Sequence, residues 1–269
     1  MRTGTIEVDD GATLAYDEAG AGPAVVLIHP GLWDRRTWDD QMASFPRAGY
    51  RTIRYDVRGY GASSRPTGAP YSHVRDLVAI MDGLGVEQAA LVGCSMGGAI
   101  AIDATLEHPQ RVWALAPVAA GLGGFEATQE EDDWWGNIDE PIEAAIAAGD
   151  LEAAQLLRLQ IWAPLGVDDE AGRRIRDIAF DNLHELEMDE SAEEDLEPPA
   201  ARRLHEIDVP TLVIKAEHDP GDVRRVSDLL AAGVPGARVL MLDADHVVNI
   251  RQPEVFDAAV LAFLDETRP

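Results

Sequence analysis

The chain has 269 residues, 46% of them hydrophobic and 26% charged, enough to bury one substantial core with room for an insertion but short for two ordinary domains. Forty-nine acidic residues against 22 basic ones give a formal charge of −27 at pH 7, which disfavours nucleic-acid and anionic-membrane partners. Cys94 is the sole cysteine, excluding an internal disulfide and a thiolate-rich zinc site. With no secretory pattern from Met1 to Gly11 and no apolar stretch of membrane-spanning length, the expected setting is the cytoplasm.

Thr5 to Val8 and Ala12 to Asp17 alternate in polarity around Asp10-Gly11, which predicts an opening β-hairpin. Ala24 to Ile28 is uniformly apolar, as in a strand covered on both faces. Further strands are expected at Tyr50 to Asp56, Ala89 to Gly93, Val112 to Ala119, Thr211 to Ala216 and Val239 to Leu242. Helices are expected near residues 36–45, 74–84, 96–107, 222–232 and 254–265. Strands alternating with helices predict an α/β fold with a doubly wound, mostly parallel sheet.

The alternation stops between Gly121 and Glu206. From Glu126 to Ala200 there are twenty-three acidic residues and four basic ones, so this stretch carries most of the negative charge. Helical spacing at Leu151 to Trp162 and at Ile175, Ile178, Ala179, Leu183 and Leu186 predicts a helical insertion. Residues 188–200, acidic and containing Pro198-Pro199, read as a linker. The expected division is a core of residues 1–120 and 207–269 with an insertion at 121–206.

The chemistry concentrates at Gly93-Cys94-Ser95-Met96-Gly97, where a strand pattern passes through Gly-x-Ser-x-Gly directly into a helix pattern. Such a nucleophile elbow exposes Ser95 on a strained apex, and the following helix directs its N-terminal amides at the reacting atoms. A serine hydroxyl needs a base. Of seven histidines, His246 follows the last strand and is the candidate, while the other six read as ordinary structural residues. If the chain order is serine, acid, histidine, Asp219 past the strand at residues 211–216 is the orienting carboxylate, with Glu217, Asp222, Asp243 and Asp245 as rivals. Oxyanion donors are expected from the Met96 amide and from Gly31 or Leu32, because Pro30 has no N–H.

Taken with Asp56-Val57-Arg58-Gly59-Tyr60-Gly61-Ala62-Ser63, these segments resemble the α/β-hydrolase superfamily over most of the chain outside the insertion. Within it the chain is most similar to single-domain esterases, enol-lactonases and cofactor-free perhydrolases, whose helical cap occupies the position of residues 121–206. The resemblance implies a Ser95–His246–Asp219 triad acting without metal or organic cofactor. Superfamily members that open epoxides or release halide carry a carboxylate at the elbow, so Ser95 argues against those reactions. Pro30 replaces the glycine usual after the histidine, and Ala216 the glycine often found before the acid loop.

The expected activity is cleavage of a carboxylic ester or lactone through an acyl-enzyme. Carbon–carbon bond hydrolysis and peracid formation are alternatives on the same triad, and a ligand-binding receptor with the same fold is a third. Under a cap, Trp134, Trp135 and Trp162, with Leu156 and Leu157, could roof the substrate, although packing of the cap onto the sheet explains them at least as well; Trp33, beside the oxyanion segment, is the better candidate for substrate contact. The acidic cap points to a small, neutral and partly apolar substrate over an anionic one.

Overall fold

A computed structural model describes all 269 residues. The chain opens with β1 (Arg2–Glu7) and β2 (Thr13–Ala19), an antiparallel hairpin whose connection places Gly11 at φ 80°. β2 pairs antiparallel with β4 (Arg51–Tyr55), and all later pairings are parallel. These are β3 (Ala24–Ile28), β5 (Ala89–Cys94), β6 (Val112–Val118), β7 (Leu212–Ala216) and β8 (Arg238–Leu242), giving the order β1-β2-β4-β3-β5-β6-β7-β8.

Every residue of β3 and β5 is buried, which explains their unbroken apolar runs: helices cover both faces of the central strands. The period of two sorts those side chains into two cores. Val26, Ile28 and Leu91 pack in one with residues of α2 (His73–Gly83) and α3 (Met96–Glu107). Val25, Leu27, Ala90 and Val92 pack in the other with Met42 of α1 (Asp39–Ser44) and with Phe256, Val260 and Phe263 from the C-terminal helix, residues 253–267. The predicted helix at 36–45 is divided: residues 35–38 form a tighter 3-10 turn before α1.

Between β6 and β7 lie α4 (Gln129–Ala147), α5 (Leu151–Trp162) and α6 (Glu170–Asp181). α5 has the predicted bounds. The sequence reading passes over α4 because its first half is almost wholly acidic or exposed. Its start is nonetheless encoded: Thr128 accepts from the Glu131 amide while the Glu131 carboxylate accepts from the Thr128 amide, a reciprocal cap.

Residues 188–200 are more than a linker. This strap lies beside Tyr71, whose amide donates to the Ala192 carbonyl at 3.1 Å and whose carbonyl accepts from Glu194 at 2.8 Å. A third apolar cluster joins the inserted helices to the strand ends, uniting Leu32, Trp33, Leu159, Ile175, Ile178, Val247 and Ile250. No helix is long and apolar enough to cross a membrane.

The strand order reverses about β3, since β4 pairs on one side and β5 on the other. Loops leaving β3 and β5 therefore diverge at neighbouring strand ends, opening the crevice where sheets of this type collect ligands. The register Ile28↔Gly93 sets the loop after β3 directly beside the loop after β5.

Candidate active site

Ser95 occupies the turn between β5 and α3 with φ 52° and ψ −116°, a left-handed strained conformation for a residue with a side chain. Two close approaches require the flanking glycines. A Cβ on Gly93 would lie 2.0 Å from the Gly97 carbonyl oxygen, and one on Gly97 would lie 2.3 Å from the Ile28 carbonyl oxygen. Both obstacles are backbone, so neither can swing aside.

The Ser95 amide donates to the Val118 carbonyl at 2.9 Å, and its carbonyl accepts from Ala99 and Gly121, each at 3.0 Å. Leu32 (φ 69°) and Ala119 (φ 43°) are the other non-glycine residues with positive φ, and both sit at the same end of the sheet. Three residues in a region that costs roughly 1–3 kcal/mol each, all beside one crevice, mark where the fold spends stability on geometry.

His246 and Asp219 meet. The ring Nδ1 of His246 lies 2.8 Å from Asp219 Oδ1, with the two residues 2% and 5% exposed. Their loops are tied together by backbone: the Glu217 amide donates to Leu242 and the His218 amide to Ala244. The Cys94 thiol, buried behind the elbow, reaches the His246 carbonyl at 3.4 Å, and burial pushes that thiol well above the ordinary cysteine range. With Nδ1 committed to Asp219, Nε2 is the ring nitrogen left to receive a proton.

The rival carboxylates are engaged elsewhere. Asp245, fully buried, pairs with Arg251 at 2.7 Å, Asp243 lies 2.7 Å from His218 Nε2, and Asp222 accepts from the Trp135 indole at 2.9 Å. Glu217 is exposed beside His218 and Asp243.

Upstream, the loop after β3 is held by polar groups that the sequence motif supplies. His29 is fully buried, with Nδ1 2.8 Å from the Pro30 carbonyl and Nε2 accepting from the Val57 amide at 2.9 Å. Burial lowers its pKa, consistent with a neutral ring that only braces the loop. Asp56, also fully buried, accepts from the Arg35 and Ala62 amides at 2.9 and 2.7 Å and pairs with the Arg35 guanidinium. Ser63 donates to the Asp56 carbonyl and accepts from the Ala15 amide, bridging the motif to β2.

A cavity of about 650 Å³ is lined by Ser95, Met96, Gly31 and Tyr60 at one end. Met96 opens α3, so its N–H has no acceptor within the helix. Leu32, by contrast, packs its side chain into the cluster beneath the inserted helices. Tyr60 is 5% exposed, and burial holds its phenol well above the usual range, so it remains a hydrogen-bond donor.

None of the four tryptophans lines this cavity. Trp33 is fully buried and donates to the Ile175 carbonyl at 2.8 Å, a packing role rather than the expected substrate contact. Trp162 packs against the His246 ring at a tilt of 42° with centroids 4.3 Å apart, and Trp135 follows at 5.6 Å from Trp162. Trp134 is half-exposed and borders a second cavity, which Asp219 and His218 also line. Sequence reasoning also missed Asn182, fully buried, whose side chain donates to Asp34 and accepts from the Gly61 amide, both at 2.8 Å. It latches α6 to the core, and a lone asparagine in an acidic stretch carries no signal of that role.

Comparison with known proteins places this geometry in context. Residues 23–159 match the family model described as the alpha/beta hydrolase fold. A 3-oxoadipate enol-lactonase from Acinetobacter baylyi is 28% identical over 257 residues, 90% of this chain and 88% of that protein. An epoxide hydrolase from Caballeronia sordidicola is 40% identical over 110 residues, which are 39% of this chain and only 33% of that protein. A solved N-acyl homoserine lactone degrading enzyme superposes with a TM-score of 0.75 at 26% identity, covering 97% of this chain and all of the other. The family match spans the crevice from the loop after β3 through the elbow and α3, and on that ground the chain belongs to the alpha/beta hydrolase fold family and is a hydrolase.

Proposed function

We propose that this enzyme cleaves a carboxylic ester or lactone through an acyl-enzyme on Ser95, with His246 as base and Asp219 as its orienting carboxylate. The observation that carries the reading is the 2.8 Å His246–Asp219 pair, buried at the same sheet edge as a serine held at φ 52°. Ser95 Oγ attacks the carbonyl carbon as His246 Nε2 takes its proton, and Asp219 fixes the Nδ1–H tautomer and stabilises the imidazolium. Amides of Met96 and of the Gly31-Leu32 segment hold the oxyanion, a class of interaction worth about 3–4 kcal/mol of barrier per donor. The imidazolium then protonates the leaving alkoxide. A water activated by the same ring releases the acid and regenerates Ser95. Trp162, packed against the imidazole with ring centroids 4.3 Å apart, limits the room in which that ring can swing.

A 2-hydroxy-6-oxononadienedioate/2-hydroxy-6-oxononatrienedioate hydrolase from Burkholderia vietnamiensis, 28% identical over 96% of this chain, matches it as fully as the enol-lactonase does, so carbon–carbon cleavage on the same triad is the second reading; the structural likeness to a lactone-degrading enzyme favours lactone or ester. The epoxide hydrolase match is confined to a third of that protein, and a hydroxyl rather than a carboxylate stands at the elbow here. The test is labelling with a fluorophosphonate alongside turnover of simple esters and lactones. Stoichiometric modification, lost in Ser95→Ala, is expected. An unlabelled but folded parent protein would instead indicate a binding module.

A further inference from the structure

We propose that the substrate is elongated and carries a protonated amine, with its scissile carbonyl at Ser95 and its ammonium group at Asp103, facing the acidic strap. This rests on the reading of Ser95 as acyl acceptor and replaces the neutral substrate expected from composition.

The cavity that holds Ser95 extends along one face of α3. Met96, Ala99, Ile100, Asp103 and Glu107, at spacings of three and four residues, all line it. Seven residues separate Met96 from Asp103, roughly 10 Å along the helix axis. The opposite wall is the strap, which contributes Glu190, Glu193, Asp195 and Glu197. Arg75 is the one guanidinium of the lining, and Glu194 already holds it at 2.6 Å.

Two buried polar atoms in this lining are left without partners. Asp103 Oδ1 is buried and makes no hydrogen bond. His73, 8% exposed, has its Nε2 3.5 Å from Glu193 but its Nδ1 unpartnered. Groups of this kind are costly to leave unmet, and the Asp103 carboxylate and the His73 imidazole, both in the lining of this cavity, are acceptors for N–H bonds from an ammonium. Burial, followed by the charges of Asp195, Glu107 and Glu193 and offset in part by Arg203, pushes the Asp103 carboxyl up to about 7.

A compact metal ion fits less well. A divalent cation needs several oxygens converging on one point. The one group of three candidate ligand atoms lying within 4.8 Å of one another is Glu217, His218 and Asp243, outside this cavity. Carboxylates spread along a channel with Val74, Ile100 and Leu196 between them suit an alkyl chain ending in a cation.

The experiment compares three isosteric series at low ionic strength: methyl esters of straight-chain acids ending in an amine, a methyl or a carboxylate group, over graded chain lengths. The same comparison is made on alkyl acetates with the terminal group on the alcohol. The expected result, in at least one series, is a kcat/KM about tenfold or more higher for the amino ester than for its methyl isostere. That ratio should peak where the chain spans roughly 10 Å and shrink as salt is added. It should fall towards one in Asp103→Asn, and in Glu190→Gln, a strap variant with little bearing on folding. Ser95-dependent turnover with no amino preference in either series, or a preference that both variants keep, overturns the inference while leaving the hydrolase reading intact. Failure of every ester together with absent fluorophosphonate labelling removes the hydrolase reading itself.

Discussion

At the scale of single residues, the site is a set of side chains whose alternatives are already occupied. Asp219 is available to His246 because Asp245 is spent on Arg251 and Asp243 on His218. Asp219→Asn should therefore lower kcat by about ten-thousand-fold by stabilising the wrong imidazole tautomer, whereas Asp243→Asn should stay within a few fold of the parent. Steady-state kinetics on one ester decide it, and near-equal losses in the two variants would show the acid to be misassigned. The turn that exposes Ser95 and the place of His246 after the last strand were legible from motif and chain position, because strand-turn-helix punctuation is local. Among five carboxylates Asp219 was singled out by its place past the strand at residues 211–216, but what sets it apart physically, the 2.8 Å contact with His246, is a matter of distance through space.

At the scale of elements, the inserted helices are fastened to the core by a few buried polar contacts and one apolar seam. Asn182, at the end of α6, satisfies both the Asp34 carboxylate and the Gly61 amide. Asn182→Ala removes a hydrogen bond to the Asp34 carboxylate, which keeps its Arg36 partners, and one from the Gly61 amide, together worth about 2–4 kcal/mol as a charged and a neutral bond. Urea denaturation should show a loss of about 2 kcal/mol or more, with proteolysis beginning in residues 121–206. A loss within experimental error would mean that the apolar cluster around Trp33 alone carries the attachment. The tryptophans make the same point about roles: Trp33 and Trp162 were candidates for substrate contact on sequence, yet the first fills the seam and the second covers the His246 ring. An aromatic side chain suits either task, and only the packing of α5 and α6 against the strand ends separates them.

At the scale of the molecule, charge and pH are linked to stability through groups such as Asp103. Its folded-state pKa of about 7 stands above the ordinary aspartate value of 3.8, so between those values the native state binds more protons than the unfolded chain. The favourable contribution is complete below about pH 4 and is lost as the pH rises through 7. Asp103→Asn should raise the melting temperature, and by more near pH 8 than near pH 5.5. A gain independent of pH would remove Asp103 as the titrating group.

The sequence by itself determined the sheet, most helices, the elbow and the acidic insertion, because periodicity, glycine placement and charge density are properties of neighbouring residues. It did not reveal α4, whose amphipathic pattern is buried under carboxylates, nor the strap, which reads as a linker and takes its shape by pairing with Tyr71. Tertiary structure alone decided where the rival carboxylates are spent and which acids wall the cavity beside Ser95. Those outcomes depend on loops from β3, β5, β7 and β8 being carried to one sheet edge, where distances through space owe nothing to separation along the chain.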